Sequence, residues 1–213
     1  MHCGVAIAIE RIDAGSRKWV TGVLVIGLML RLAYVTLAPE VVAQSNMLER
    51  VDYCVLWERA GSFALGDFLE NKSWVTVVFY GLVRRFFGDS FYLSYLFTLA
   101  LQIMTALILG GVTQMLFGQG RWLSASIFFL FPYFVMHCSN IATEHCYVLF
   151  AVLSFYLMLK SSRADGLVGG CVYAMLMGMA IWLALWSRSE GVLLWVVLPA
   201  GLAVESVMGK RGG

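Results

Sequence analysis

The sequence predicts an all-α fold, a polytopic transmembrane helix bundle of about six spans with amphipathic interfacial helices in its first extracytoplasmic loop. Of the 213 residues, 61% are hydrophobic and only 13% are charged, whereas soluble domains are typically about 45–50% apolar and about 25% charged. Apolar stretches of about 20 residues, the length that crosses a bilayer as a helix, also recur along the chain. A soluble domain of this size could not bury so much apolar surface, so the composition indicates an integral membrane protein.

The whole chain, residues 1–213, is predicted to form a single transmembrane domain. The first span is 18–37, interpreted as a retained helix because no small-residue cleavage site follows its apolar run. An extracytoplasmic loop occupies 38–90. Five further spans fill 91–208, with predicted bounds 91–117, 122–138, 143–160, 166–186 and 190–208.

Basic residues in the short loops predict the orientation of these spans, because cytoplasmic loops carry an excess of Lys and Arg. With six spans, four basic groups fall on one side, so both termini are expected to be cytoplasmic, in an inner, plasma or endoplasmic reticulum membrane. No basic stripe is present, which argues against nucleic acid as a partner. The four groups are Arg11, Arg17 and Lys18; Arg121; Lys160 and Arg163; and Lys210 and Arg211.

The loop 38–90 contains two segments that are not predicted to be full spans, an amphipathic one at 44–67 and a short apolar one at 74–87. In "QSNMLERVDYCVLWERAGSFALGD" (44–67), apolar residues recur at helical spacing between acidic ones, which predicts a helix lying in the membrane interface. That helix would hold Asp52 at the boundary of lipid and water, as a general base on an acceptor or simply as a solvated surface acid. The segment 74–87, which ends near Arg84 and Arg85, is predicted to be interfacial or re-entrant.

Two charged residues flank apolar spans on the same predicted outer face. Glu144 follows "HCSNIAT" at the start of one span, and Arg188 ends another in "WSRSEG". A charge at the edge of a span is costly and usually faces a cavity or a partner. Glu144 either complements the positive end of its helix dipole, holds a cation such as Arg188, or binds the hydroxyl groups of a ligand. Arg188 either snorkels to lipid headgroups or binds a phosphate through its forked donors.

Other polar residues have two open interpretations each. Arg31 is expected either to snorkel outward or to pair with an acid such as Asp52. Arg84 and Arg85 suit a lipid phosphate or a rim of anionic headgroups. His137 is either a hydrogen-bonded interface residue or an alternative general base. His137 and His145 are eight residues apart, which is not a zinc-binding spacing, so no metal site is predicted.

Four short motifs, taken in order, resemble the N-terminal half of GT-C-type membrane glycosyltransferases. The chain is similar in this respect to dolichyl-phosphate-mannose protein mannosyltransferases and lipid A aminoarabinose transferases, over roughly residues 20–205. The motifs are "DYCVLWERA", with Asp52, Trp57 and Ala60; "RRFFGDS"; the set Pro132, Ser139, Thr143 and Glu144; and "SRSEG", with Arg188.

The resemblance implies a sugar transferase that works on the extracytoplasmic side. Its donor would be a polyprenyl-phosphate sugar, its acceptor a protein, glycan or lipid, and it would need no cofactor. Asp52 would be the catalytic base, with Glu144 and Arg188 lining the donor or acceptor cavity. The remaining substrate-binding candidates are Arg31, Tyr53, His137, Arg84 and Arg85.

Two alternative functions are open on the sequence alone. The chain could be a non-catalytic membrane subunit or truncated transferase relative that binds lipid or a partner membrane protein. It could also be a small transporter or flippase, although its charged residues lie at the predicted rim of the bundle, whereas transporters place such residues near the midplane.

Overall fold

A computed structural model describes residues 21–22, 25–33, 36, 73–88, 91–118, 120–136 and 142–209, and every regular element within these ranges is helical. Three helices are long and apolar enough to cross a membrane, namely Tyr95–Phe117, Thr143–Ser162 and Leu167–Ser187. In chain order the helices are α1 (25–33), α2 (Trp74–Phe87), α3 (Phe91–Phe117), α4 (Arg121–Leu130), α5 (Pro132–Met136), α6 (Thr143–Ser162), α7 (Leu167–Ser187) and α8 (Val192–Gly209), with a 3-10 turn at Ser189–Gly191.

The predictions for 91–117, 143–160 and 166–186 are confirmed as α3, α6 and α7, with bounds that differ by two residues or fewer. The predicted span 190–208 begins with the 3-10 turn and continues as α8, which has 18 residues and carries Pro199 inside it. The predicted helix in 44–67 and most of the first span lie outside the described residues.

The predicted span 122–138 is not one continuous helix within the described residues. Helix α4 ends at Leu130, Phe131 is extended with φ −58° and ψ 121°, and α5 begins at Pro132. The cause is Pro132, because a proline disfavours helical geometry at the residue before it and cannot donate an N–H to the preceding turn. Phe131 instead donates its N–H to the carbonyl of Phe128 at 3.2 Å, which tightens the last turn of α4.

Helix α6 lies at the centre of the described bundle and packs against α2, α3, α7 and α8. A second, smaller cluster joins α3 to α4 through Leu99, Ala106, Ala125 and Phe129. One face of α2 is buried in the bundle, so the first turns of this helix pack against its neighbours. The main core contains Val75, Leu101, Leu149, Phe150, Leu157, Ile181, Ala184 and Leu198.

Two glycines of α3, in "LILGG" (107–111), allow close contacts with other helices. A Cβ atom on Gly110 would lie 2.6 Å from the carbonyl oxygen of Arg121, and one on Gly111 would lie 2.9 Å from the ring of Tyr156. At these two positions α4 and α6 therefore approach α3 more closely than a side chain on α3 would allow. Gly178 in α7 differs, because a Cβ there would meet no atom of the described chain within 4 Å.

Candidate functional site: an ion-pair cluster at the helix ends

Glu144 and Arg188 are brought together by the ends of two long apolar helices. Glu144 lies in the first turn of α6. Arg188 directly follows the last residue of α7 in an extended conformation, and its N–H donates to the carbonyl of Ala184 at 3.0 Å. The Nη1 atom of Arg188 donates to Oε1 of Glu144. Of the alternatives for Glu144, the structure shows both the placement at a helix N-terminus and the contact with Arg188.

A second carboxylate, Glu190, completes the cluster, and sequence reasoning did not select it. Its Oε2 accepts from Nε of Arg188 at 3.0 Å. The sequence contains a signal for this contact, because an acid two residues after an arginine can contact it when the chain forms a tight turn there. The side chains of Arg188, Glu144 and Glu190 are 37%, 28% and 48% exposed, so the cluster is open to solvent.

The cluster perturbs the ionisation of two of its members. Burial lowers the pKa of Arg188, but the charge of Glu144 and the contacts with Glu190 outweigh it, so the pKa of Arg188 is raised. The pKa of Glu190 is lowered, first by a hydrogen bond from its own backbone N–H and further by the Arg188 guanidinium. Arg188 is therefore positively charged and Glu190 negatively charged near neutral pH.

Gly191 fixes the turn that carries Glu190. A Cβ atom on this buried residue would lie 2.4 Å from the backbone nitrogen of Leu185, so the turn packs directly on the last turn of α7. The N–H of Gly191 also donates to the carbonyl of Arg188 at 3.0 Å. A glycine is required here because any side chain would push the turn, and Glu190 with it, away from α7.

Three tryptophans anchor α2 beside the cluster. The Trp74 ring lies 5.4 Å from that of Trp182 and 6.0 Å from that of Trp186, and Trp182 and Trp186 are 6.3 Å apart. Trp74 begins α2, and Trp186 stands two residues before Arg188. The start of α2 is therefore attached to the end of α7 that bears the ion pair.

The other sequence candidates lie elsewhere. Arg84 and Arg85 are in the last turn of α2, at the opposite end of this helix from Trp74. Arg188 contacts Glu144 and Glu190, which lie at the ends of α6 and α7. Asp52, Tyr53 and His137 lie outside the described residues, so the predicted gathering of Asp52 with Glu144 and Arg188 stays a prediction.

Arg31 does not snorkel outward, so that interpretation is wrong. Its side chain is 1% exposed, and the guanidinium lies 3.9 Å from the ring centre of Phe129. The Nε atom donates to Oε1 of Gln102 at 2.8 Å, and Nη1 donates to the carbonyls of Phe129 and Gly27. Arg31 is thus held inside the bundle, and its alternative pairing with Asp52 involves a residue outside the described ranges.

An open apolar groove of about 310 Å³ runs between α3 and α4, lined by Leu109, Ser124, Ile127, Phe128 and Phe131. Aromatic contacts connect two of its lining residues to the first turn of α6. The rings of Phe128 and Phe131 lie 4.5 and 6.1 Å from that of Phe134. Phe134 in turn lies 6.5 Å from the ring of His145, the neighbour of Glu144.

No family model matches the chain, and no curated protein or solved structure is significantly similar to it. The resemblance to GT-C-type glycosyltransferases therefore depends on the sequence motifs alone.

Proposed function

We propose that this chain is a glycosyltransferase-like integral membrane protein that transfers a sugar from a polyprenyl-phosphate donor to an acceptor on the extracytoplasmic face. The observation that carries the proposal is the contact between Arg188 and Glu144, which sets a solvent-open guanidinium at the ends of two apolar helices. A lipid-borne phosphate and a water-borne acceptor can meet only at such a boundary. The proposal includes six spans, cytoplasmic termini, and segments 44–67 and 74–87 in the interface.

The proposed reaction assigns separate roles to the acid and the base. The Asp52 carboxylate accepts the proton of the acceptor hydroxyl or amine as that atom attacks the anomeric carbon. The bond between this carbon and the phosphate oxygen breaks, and polyprenyl phosphate leaves. Arg188 stabilises the negative charge that develops on the phosphate.

The charges of the cluster restrict how a phosphate would reach Arg188. With two carboxylates to one guanidinium, the cluster has a formal net negative charge and repels an anion. The more exposed Glu190 would therefore leave Nε to the phosphate, while Glu144 keeps Nη1 and holds the guanidinium plane. In this arrangement Glu144 positions Arg188, and the donor phosphate replaces Glu190 at Nε of Arg188. The groove beside Phe131 offers an apolar surface for the polyprenyl chain.

The test is transfer of labelled sugar in membranes that contain the full chain and a polyprenyl-phosphate sugar. Asp52→Asn should reduce the transfer of label from the donor to other molecules by about 10²–10⁴-fold, the usual contribution of a general base. Asp165→Asn, an exposed acid in the turn before α7, is the matched control and should transfer as the wild type does. Undiminished transfer by Asp52→Asn removes this residue from the role of base.

A non-catalytic membrane subunit is the second candidate, and the surface of α7 supports it. Only 22% of its spanning window is buried within the described bundle, against 39% for α3 and 44% for α6. Large side chains such as Leu167, Val168, Met175 and Met179 face outward. Co-purification with a second multi-span protein, and no transfer by the chain alone, would favour this candidate over the transferase.

A further inference from the structure

Helix α4 is broken from α5 inside an apolar region, and backbone groups at such a break need partners. In a membrane an unsatisfied carbonyl is costly because no water is available to bind it. The break follows from Pro132, so its carbonyls cannot all be satisfied within one helix. Broken helices persist in membranes only where neighbouring groups satisfy the freed backbone.

Two polar side chains donate on either side of this break. Arg31 from α1 donates to the carbonyl of Phe129, in the last turn of α4. Gln102 from α3 donates through Nε2 to the carbonyl of Phe134, in α5, at 3.0 Å. The two side chains are joined to each other by the bond from Arg31 Nε to Gln102 Oε1 at 2.8 Å.

The charge of Arg31 suits the position that it occupies. The C-terminal carbonyls of a helix carry a partial negative charge, so a cation beside the end of α4 is favourable. The guanidinium is also packed on the Phe129 ring at 3.9 Å, which adds a cation–π contribution. Gly27 lets the Phe129 ring lie close to α1, because a Cβ on this glycine would lie 2.8 Å from that ring.

We propose that Arg31 and Gln102 hold the α4–α5 break in one geometry and, through it, set the packing behind Glu144. Gln102 holds the Phe134 carbonyl, and the Phe134 ring packs 6.5 Å from that of His145 in the first turn of α6. Displacement of α5 therefore removes a neighbour of the turn that carries Glu144. This inference goes beyond the transferase proposal and does not depend on it.

The test is backbone hydrogen exchange of the full chain in lipid nanodiscs, followed by peptide. Arg31→Met and Gln102→Leu should speed exchange within 125–136 and 142–146 by about tenfold, because each removes a donor that opposes local opening. Exchange in 150–162 and 170–187 should stay unchanged. Met29→Leu is the control, since Met29 is on α1 and 64% exposed, and it should match the wild type throughout.

Two further variants keep the proposal decisive if Arg31→Met fails to fold. Arg31→Lys retains the charge and one donor, so it should show a smaller increase confined to the same peptides. The Arg31→Met/Gln102→Leu double variant should exchange no faster than the more affected single variant, because both act on one network. Wild-type exchange at 125–136 in Gln102→Leu and Arg31→Lys, or an equal rise in every helix, overturns the proposal.

Discussion

The guanidinium of Arg188 lies against the carboxylate of Glu144, 44 residues earlier in the chain, and this contact ties the end of α7 to the start of α6. Both residues stand at the edge of long apolar helices, where an unpaired charge is costly. The pair therefore joins two helices at one end and leaves part of a guanidinium open to solvent. Stability and function can be tested on this contact separately.

Removing one member of the pair should lower stability, and exchanging the two should restore part of it. Glu144→Gln or Arg188→Gln is expected to cost about 1 kcal/mol, the upper part of the range for partly exposed pairs. The swapped variant Glu144→Arg/Arg188→Glu should unfold closer to the wild type than either single variant does. Thermal unfolding in detergent, followed by tryptophan fluorescence, gives the coupling; strictly additive losses would show that the contact contributes nothing.

Acid should weaken the contact between Arg188 and Glu190 in a defined direction. The folded-state pKa of Glu190 is lowered from 4.5, so its contribution to stability is present above that value and is lost as pH falls through the folded-state pKa. Arg188 stays protonated throughout, because its pKa is raised. The stability difference between the wild type and Glu190→Gln should therefore shrink from pH 7 towards pH 3, measured as unfolding midpoints; a difference that is constant or grows contradicts the assignment.

Adding one methyl group at Gly110 should destabilise the bundle. The new Cβ would lie 2.6 Å from the backbone oxygen of Arg121, which cannot rotate away. Gly110→Ala should cost about 1–3 kcal/mol, as overpacking does in well-packed cores. Gly178→Ala, in open space on α7, should be neutral or slightly stabilising because alanine favours the helix. Equal melting temperatures for the two variants would mean that α4 does not approach α3 at Gly110.

Loss of the Trp74 ring should release the start of α2 from the bundle. Trp74 is 7% exposed and contacts Trp182 and Trp186. Trp74→Ala is expected to cost about 3–5 kcal/mol, the range for large aromatic truncations. Limited proteolysis should then cut within 73–88 faster than in the wild type. Trp195→Ala, which removes a half-exposed ring on α8, should leave the cleavage rate unchanged.

The long helices were readable from the sequence because apolar length alone defines them, and α3, α6 and α7 begin and end near the predicted residues. The break at Pro132 was missed because the composition of 122–138 is apolar on both sides of it. The burial of Arg31 could not be read either, since its partners Gln102 and Phe129 are 71 and 98 residues away. The contact of Glu144 with Arg188 was one of several alternatives, and only the packing of α6 on α7 selects it.

The central claim is that Asp52 lies on the same membrane face as the Glu144–Arg188 pair and close to it. Its most direct test is the distance between spin labels at Asp52→Cys and Ser189→Cys, measured by double electron–electron resonance in nanodiscs with the native cysteines replaced. The account predicts a separation below about 20 Å, well under the roughly 30 Å thickness of the hydrocarbon core. A distribution centred at about 30 Å or more would place Asp52 away from the pair and contradict the account.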